Sequence, residues 1–183
     1  MDAIDLPTPE MLSGCQLSSL NYLEKGVTVY SQGSQAQEFY YLKKGLIGLY
    51  HMLYNGKESL VRIYQDQEYF GFRTFFGDHF YHCTAKVLQP VEVVRIKPLQ
   101  LSSFFTQNPK LASYLIRQLA SELQDAEHRL SQASYQRTQE RVSSSIAYLT
   151  ENYPNYRWTY REIAEFSGCE TETAIRISRL LKK

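Results

Sequence analysis

Residues 158–183 read WTYREIAEFSGCETETAIRISRLLKK, and this stretch decides the fold. Thr159 is a good N-cap and Glu162 follows three residues later, the spacing of a capping box. Ile163, Ala164 and Phe166 give a short first helix, and Gly168 supplies a turn where a positive φ is easily tolerated. A second helix is expected from about Glu170 to Lys182, with Ala174, Ile177, Leu180 and Leu181 on its inner face. Two helices joined by so tight a turn must cross closely, which asks for a small residue at Ala164, a glycine at 168 and apolar residues at 174 and 177. That set is a helix-turn-helix, whose second helix enters the major groove by its N-terminal end. Arg176 can donate two hydrogen bonds to guanine O6 and N7, and Glu172 can accept from cytosine N4. Thr171 and Thr173 can reach a phosphate or a thymine methyl. A plain helical hairpin whose Glu and Arg side chains face solvent is the competing reading. The combination of small residue, glycine and apolar positions favours DNA. Local charge agrees weakly, with six basic and four acidic residues in 157–183.

Upstream, Thr138–Asn152 reads as a helix with Val142, Ile146 and Leu149 on one face, ended by Tyr153-Pro154-Asn155-Tyr156. Before it, residues 110–136 contain neither Gly nor Pro. Apolar residues recur at Ile116, Leu119, Leu123, Ala126, Leu130 and Ala133 in alternating steps of three and four, a heptad seam that predicts a homodimer. Asn108 is expected to cap this helix, with Pro109 in its first turn. A helix lying on its own β domain is the alternative, and it accounts for Leu111 and Leu115.

The first half, to about Pro98, has a β rhythm. Val27–Tyr30, Phe39–Leu42, Leu46–Tyr54, Ser59–Tyr64 and Val87–Ile96 are short and rich in Val, Ile and Tyr. Gly33, Lys44-Gly45, Asn55-Gly56 and Gly77-Asp78 punctuate them, Asn55-Gly56 being a strong hairpin signal. The expected fold class is α+β: a β-roll sensor domain over 1–108, a dimerisation helix over 109–136 and a helix-turn-helix DNA-binding domain over 137–183.

The whole chain bounds the function further. Its 183 residues carry a net charge of +1, so DNA affinity must come from local placement of Lys and Arg. Three scattered cysteines (Cys15, Cys83, Cys169) without CxxC spacing suit a reducing cytosol, and no cofactor is implied. No apolar run approaches the roughly 20 residues of a membrane span, and MDAIDLPTPE carries no export signal. No Ser-His-Asp order, phosphate loop or paired-carboxylate motif stands out, so an enzyme is not expected.

REIAEFSGCETETAIRISRLL resembles the EIA…G…ET…R…L pattern of the CRP–FNR family of transcription regulators. RTQERVSSSIAYL resembles the helix that precedes its reader, and Gly33, Phe39–Gly45 (FYYLKKG) and Tyr69–Gly71 (YFG) resemble the glycine punctuation of its β-roll. The resemblance implies a double-stranded β-roll of cyclic-nucleotide-binding type, a cytoplasmic homodimer on a palindromic site of double-stranded DNA, and RNA polymerase as a partner. Glu172 and Arg176 would be base readers, Thr171 the position that varies with operator sequence, and Glu170, Thr173 and Arg179 neighbours of the backbone. A dimeric sensor or scaffold with a degenerate reader is the alternative.

The effector site departs from the family pattern. The Glu that binds a ribose after Gly71 is replaced by Phe72-Arg73, the phosphate-binding Arg-Ser by His82-Cys83, and the adenine-contacting Thr-Ser by Ala126-Glu127. Neutral His and Cys hold a phosphate diester poorly, so no cAMP response is expected. Iron–sulfur members carry four cysteines and this chain does not. His79, His82 and Cys83 invite a haem or metal reading, but His79 and His82 sit in a loop among aromatics and Cys83 begins a strand. Tyr69, Phe70, Phe72, Phe75, Phe76, Phe80 and Tyr81 either line an apolar effector site or fill the pocket themselves. The family continues past the reader into a β-hairpin wing; this chain stops at Lys183, so the wing is expected to be missing.

Overall fold

The computed structural model describes residues 6–181. The expectations that turn on the chain ends, an N-terminus without an export signal and a missing wing, lie wholly or partly outside them. The chain forms two units, one of residues up to 50 together with 62–123, the other of 51–61 together with the chain from 124 on.

The first unit is an antiparallel β-roll. Its strands are β1 (Cys15–Leu23), β2 (Thr28–Tyr30), β3 (Phe39–Met52), β4 (Glu58–Tyr64), β5 (Glu68–Phe70) and β6 (Thr84–Pro98). The sheet order is β1-β6-β3-β4, with β2 also on β6 and β5 also on β3. Strand β6 is the spine, pairing Leu17 and Leu20 of β1 with Ile96 and Val93, and Phe39 and Leu42 of β3 with the same two residues from the other side. Two expected strands, Phe39–Leu42 and Leu46–Tyr54, are one. Gly45 (φ 107°) lets the chain run through a bulge where a turn was expected, and the register shifts on both sides of it.

The roll closes on an aromatic core of Phe39, Tyr69, Phe72, Phe75, Phe104, Val94 and Ile96. Phe39 meets Phe75 and Phe104 edge to face at 5.7 and 6.0 Å, the arrangement the ring quadrupoles prefer. Two helices complete it, α1 (Leu101–Gln107) and the first half of α2 (Pro109–Tyr135), which inserts Leu111 and Leu115. Burying each such side chain contributes about 1.5–3 kcal/mol. Asn108 does not cap α2 with its side chain. Its amide is buried and exchanges two hydrogen bonds of 2.9 Å with the Ser13 backbone while donating to the Phe104 carbonyl at 2.8 Å, fastening the N-terminal segment to the α1–α2 joint.

The second unit contains the hairpin end of β3 and β4, the second half of α2, and three helices: α3 (Thr138–Asn152), α4 (Tyr160–Ser167) and α5 (Thr171–Leu181). Val142 and Leu149 of α3, Ile163 and Ala164 of α4, and Ala174 and Ile177 of α5 form its buried centre. Leu180 and Leu181, expected on the inner face of α5, are instead 56% and 52% exposed; only the first two turns of α5 are covered.

Candidate nucleic-acid interface

The α4–α5 helix pair is assembled from its first turn. Thr159 has extended backbone and its Oγ1 accepts the Glu162 N–H at 3.2 Å; Glu162 Oε2 accepts the Thr159 N–H at 2.9 Å, so the capping box closes in both directions. The Tyr156 hydroxyl donates to the other Glu162 oxygen at 2.6 Å. Trp158 donates to the Leu149 carbonyl at 3.2 Å and stands edge-on to Tyr153 and Tyr156. These contacts tie α4 to the end of α3. The turn to α5 passes through Gly168 at φ 68°, ψ 48°, and the Cys169 N–H returns to the Ala164 carbonyl at 3.0 Å. A small residue at 164 and a glycine at 168 are what this close approach needs.

The free carbonyls at the end of α4 are met by two arginines. Arg129 of α2 donates to the carbonyls of Phe166 at 2.9 Å, Leu60 at 3.3 Å and Val61, with its guanidinium over the Phe166 ring. Arg141 of α3 reaches the Ser167 carbonyl at 3.4 Å and the Gln136 carbonyl at 3.0 Å. Cations here also oppose the negative end of the α4 dipole. Sequence reading missed both, since their partners in α4 stand 37 and 26 residues away and the α2 seam directs attention to other positions.

With Ala174 and Ile177 buried, α5 turns its other side outward. Glu170, Thr171, Glu172, Arg176 and Arg179 are exposed and Thr173 is half-buried. Glu172, Arg176 and Arg179 follow at i, i+4 and i+7, one line along the helix. The Ala174 N–H bonds the Glu170 carbonyl at 3.1 Å, so Glu170 stands at the leading end, where its carboxylate pairs with Lys57. On α2, Ile116, Leu123 and Leu130 are 60%, 61% and 68% exposed at strict seven-residue spacing. Ala126 and Ala133 are exposed, whereas Leu119 is partly covered by the β-roll core.

The effector positions differ in burial and in partners. Gly71 is left-handed (φ 77°) and ringed by Tyr30, Tyr40 and Tyr81, with Tyr30 and Tyr81 stacked at 3.9 Å. Phe72, expected at the pocket, belongs to the aromatic core with Phe39 and Phe75 at 1% exposure, because a phenyl ring gains more there than at a polar site. Arg73 is exposed, and its guanidinium acts on the buried Cys83 thiol, which burial nevertheless pushes up. His82 is exposed and meets Asp78 at 3.0 Å. Ala126 and Glu127 are exposed in the second unit. Among the described residues, no group of three or more His, Cys, Asp or Glu gathers as metal ligands would.

The sequence did not announce a polar cluster in the first unit. Glu122 of α2 is buried, accepts from the Tyr64 hydroxyl at 2.8 Å and Gln118 at 3.3 Å, and faces Arg62 Nε at 3.6 Å. Nearby, burial pushes the Glu68 carboxyl up to about 7, with the Glu122 charge adding to the rise and the Gln65 N–H and Arg62 opposing it. Among the described residues no helix is long and apolar enough to cross a membrane.

Residues 20–108 match the family model described as cyclic nucleotide-binding domain. An uncharacterized protein of Haemophilus influenzae is 50% identical over 115 residues, covering 63% of this chain and 89% of its own. The cAMP-activated global transcriptional regulator of Pasteurella multocida is 25% identical over 186 residues, 96% of this chain and 88% of its own. A solved structure, the c-di-GMP responsive global regulator of Xanthomonas campestris, has the same fold: the TM-score is 0.81 at 17% identity, over 92% of this chain and 87% of that one.

Proposed function

We propose that this chain is a sequence-specific DNA-binding regulator of the CRP–FNR type that reads a palindromic operator as a homodimer, with an effector other than cAMP; the cyclic nucleotide-binding-domain match over residues 20–108 and the likeness to the Pasteurella multocida regulator support the reading. The observation that carries the reading is α5, whose Ala174 and Ile177 are buried while Thr171, Glu172, Arg176 and Arg179 line its exposed side. Glu172 and Arg176 read base edges, Thr171 tunes the operator, and Glu170, Thr173 and Arg179 lie near the phosphates.

The exposed Ile116, Leu123 and Leu130 support pairing of α2 with its counterpart in a second copy, as heptad spacing requires. Such a pair sets two reading helices about 34 Å apart, one turn of DNA. RNA polymerase is then the macromolecular partner of the bound dimer. The tyrosines around Gly71, the core placement of Phe72 and the His82–Asp78 pair speak against a ribose and phosphate site. Calorimetry with cAMP is expected to give no heat; micromolar binding would remove that part of the reading.

Selection of bound duplexes from a random DNA pool tests the whole. A palindromic consensus is expected. Failure to enrich any sequence, with a dimer still present, would leave a sensor or scaffold whose reader is degenerate.

A further inference from the structure

We infer that the hairpin end formed by residues 51–61 is a latch that holds the leading end of α5 and competes with DNA for it. The inference rests on α5 being the DNA-contacting helix. The tip is stiff: Gly56 is left-handed, its N–H reaches the Leu53 carbonyl at 2.9 Å, and the Leu53 N–H reaches the Lys57 carbonyl at 2.8 Å. This is the three-residue loop with a left-handed last residue that commonly closes hairpins. Asn55 Oδ1 accepts the Lys57 N–H at 3.0 Å and fixes where Lys57 departs.

From there the residues attach one after another to the reader. Lys57 pairs with Glu170 at the start of α5. Glu58 lies 3.8 Å from Arg161 of α4, and Ser59 Oγ donates to the Glu165 carbonyl at 3.4 Å. The carbonyls of Leu60 and Val61 accept from Arg129, the same guanidinium that holds the end of α4. All of these contacts lie within the second unit.

Two arguments make this a latch rather than a DNA-contacting arm. A major groove about 12 Å wide is filled by a helix about 10–12 Å across with its side chains, leaving no room for a hairpin fastened to the entering end. The charges also match protein rather than DNA. Lys57 and Glu58 face the opposite charges of Glu170 and of Arg161, which also holds Glu165, whereas an arm that tracks phosphates needs cations alone and the Glu58 carboxylate would repel the backbone. Exposed ion pairs are weak, so the latch tunes affinity by a few-fold rather than switching it off, and salt loosens it.

The test uses the full chain and a duplex selected by the wild type, with fluorescence anisotropy at several salt concentrations. Lys57→Ala is expected to bind about two- to five-fold tighter at low salt, the gain shrinking as salt rises. Lys57→Arg, which keeps the pair, should match the wild type. Weaker binding by Lys57→Ala, with a salt slope reduced by about one, would make Lys57 a phosphate contact and overturn the latch; unchanged binding would overturn it as well. If wild type and variants bind no duplex, the DNA reading itself falls and the latch with it.

Discussion

The Arg129 guanidinium carbon lies 4.2 Å from the centre of the Phe166 ring while its Nη2 donates to the Phe166 carbonyl at 2.9 Å. One side chain of α2 thereby holds the ring and the backbone at the end of α4. Phe166 is gripped from its other neighbour too, stacking on Tyr148 of α3 at 5.6 Å and 11°. Charge-assisted hydrogen bonds in a partly buried setting and a cation–π contact together suggest that Arg129→Ala lowers stability by about 2–3 kcal/mol. Arg129→Lys should recover less than half, since an ammonium cannot serve three carbonyls in the guanidinium plane. Trp158 is the single tryptophan and lies in this unit. Its fluorescence during urea unfolding reports the loss, and an unchanged midpoint for Arg129→Ala would refute the assignment.

Glu68 gives the first unit a pH dependence of defined sign. Its carboxyl is raised by burial to about 7, so between about pH 4.5 and 7 the folded chain holds a proton that the unfolded chain has lost. Folding stability therefore falls as pH rises through that window. The group is slightly open to solvent, so the effect is on the order of 1–2 kcal/mol rather than the full shift. Glu68→Gln should flatten this slope and be the more stable form at pH 7.5. Thermal unfolding followed by circular dichroism between pH 5 and 8 measures both; a variant with the wild-type slope would assign the dependence elsewhere.

Gly45 marks where local reading of the sequence fails. Lys44-Gly45 has the composition of a turn, but a side chain at 45 would place its Cβ 2.4 Å from the Pro90 carbonyl oxygen and 2.7 Å from Val91 Cγ1. The glycine answers a neighbouring strand 45 residues away, which no local pattern reveals. Gly45→Ala combines that clash with a φ of 107° and should cost about 3 kcal/mol or more. A loss under 1 kcal/mol in urea unfolding would mean that β6 yields at Pro90.

The same reasoning separates what was legible from what was not. The α4–α5 helix pair was legible because capping box, small residue, glycine and apolar spacing all sit within 20 residues and act locally. Asn55-Gly56 was legible for the same reason. Strand β1 was not, since its burial pattern shows no alternation, and seven-residue α1 is too short to show a period. Arg129, Arg141 and the Glu122 cluster depend on partners brought together only by the fold. Leu180 and Leu181 carry the right period but lack a covering surface among the described residues.

Leu123 offers a direct test of association. It is 61% exposed midway between Ile116 and Leu130, so a charge there removes little from the fold of one chain. In a paired seam the same charge would be desolvated without a partner, at a cost of several kcal/mol. Leu123→Glu is expected to sediment as a monomer with a near-wild-type melting profile at high dilution. A dimer that survives the substitution would place the interface away from this face.

On the proposed reading, Arg176 decides whether α5 reads sequence or merely touches DNA. It is exposed in line with Glu172 one turn before it, and an Arg in that place can hold both acceptors of a guanine at once. Losing a bidentate pair costs about 1–3 kcal/mol and relaxes the preference at one base position per half-site, leaving the others intact. Arg179 is expected to differ: as a phosphate neighbour, its loss should weaken all duplexes alike and lower the salt slope by about one. Repeating the random-pool selection with Arg176→Ala and Arg179→Ala distinguishes the two roles. One degenerate position on each side of the palindrome for the first variant, and an unchanged consensus for the second, is the expected pair of results. An unchanged consensus for Arg176→Ala would remove this residue from base reading and shift the assignment to Glu172 and Thr171.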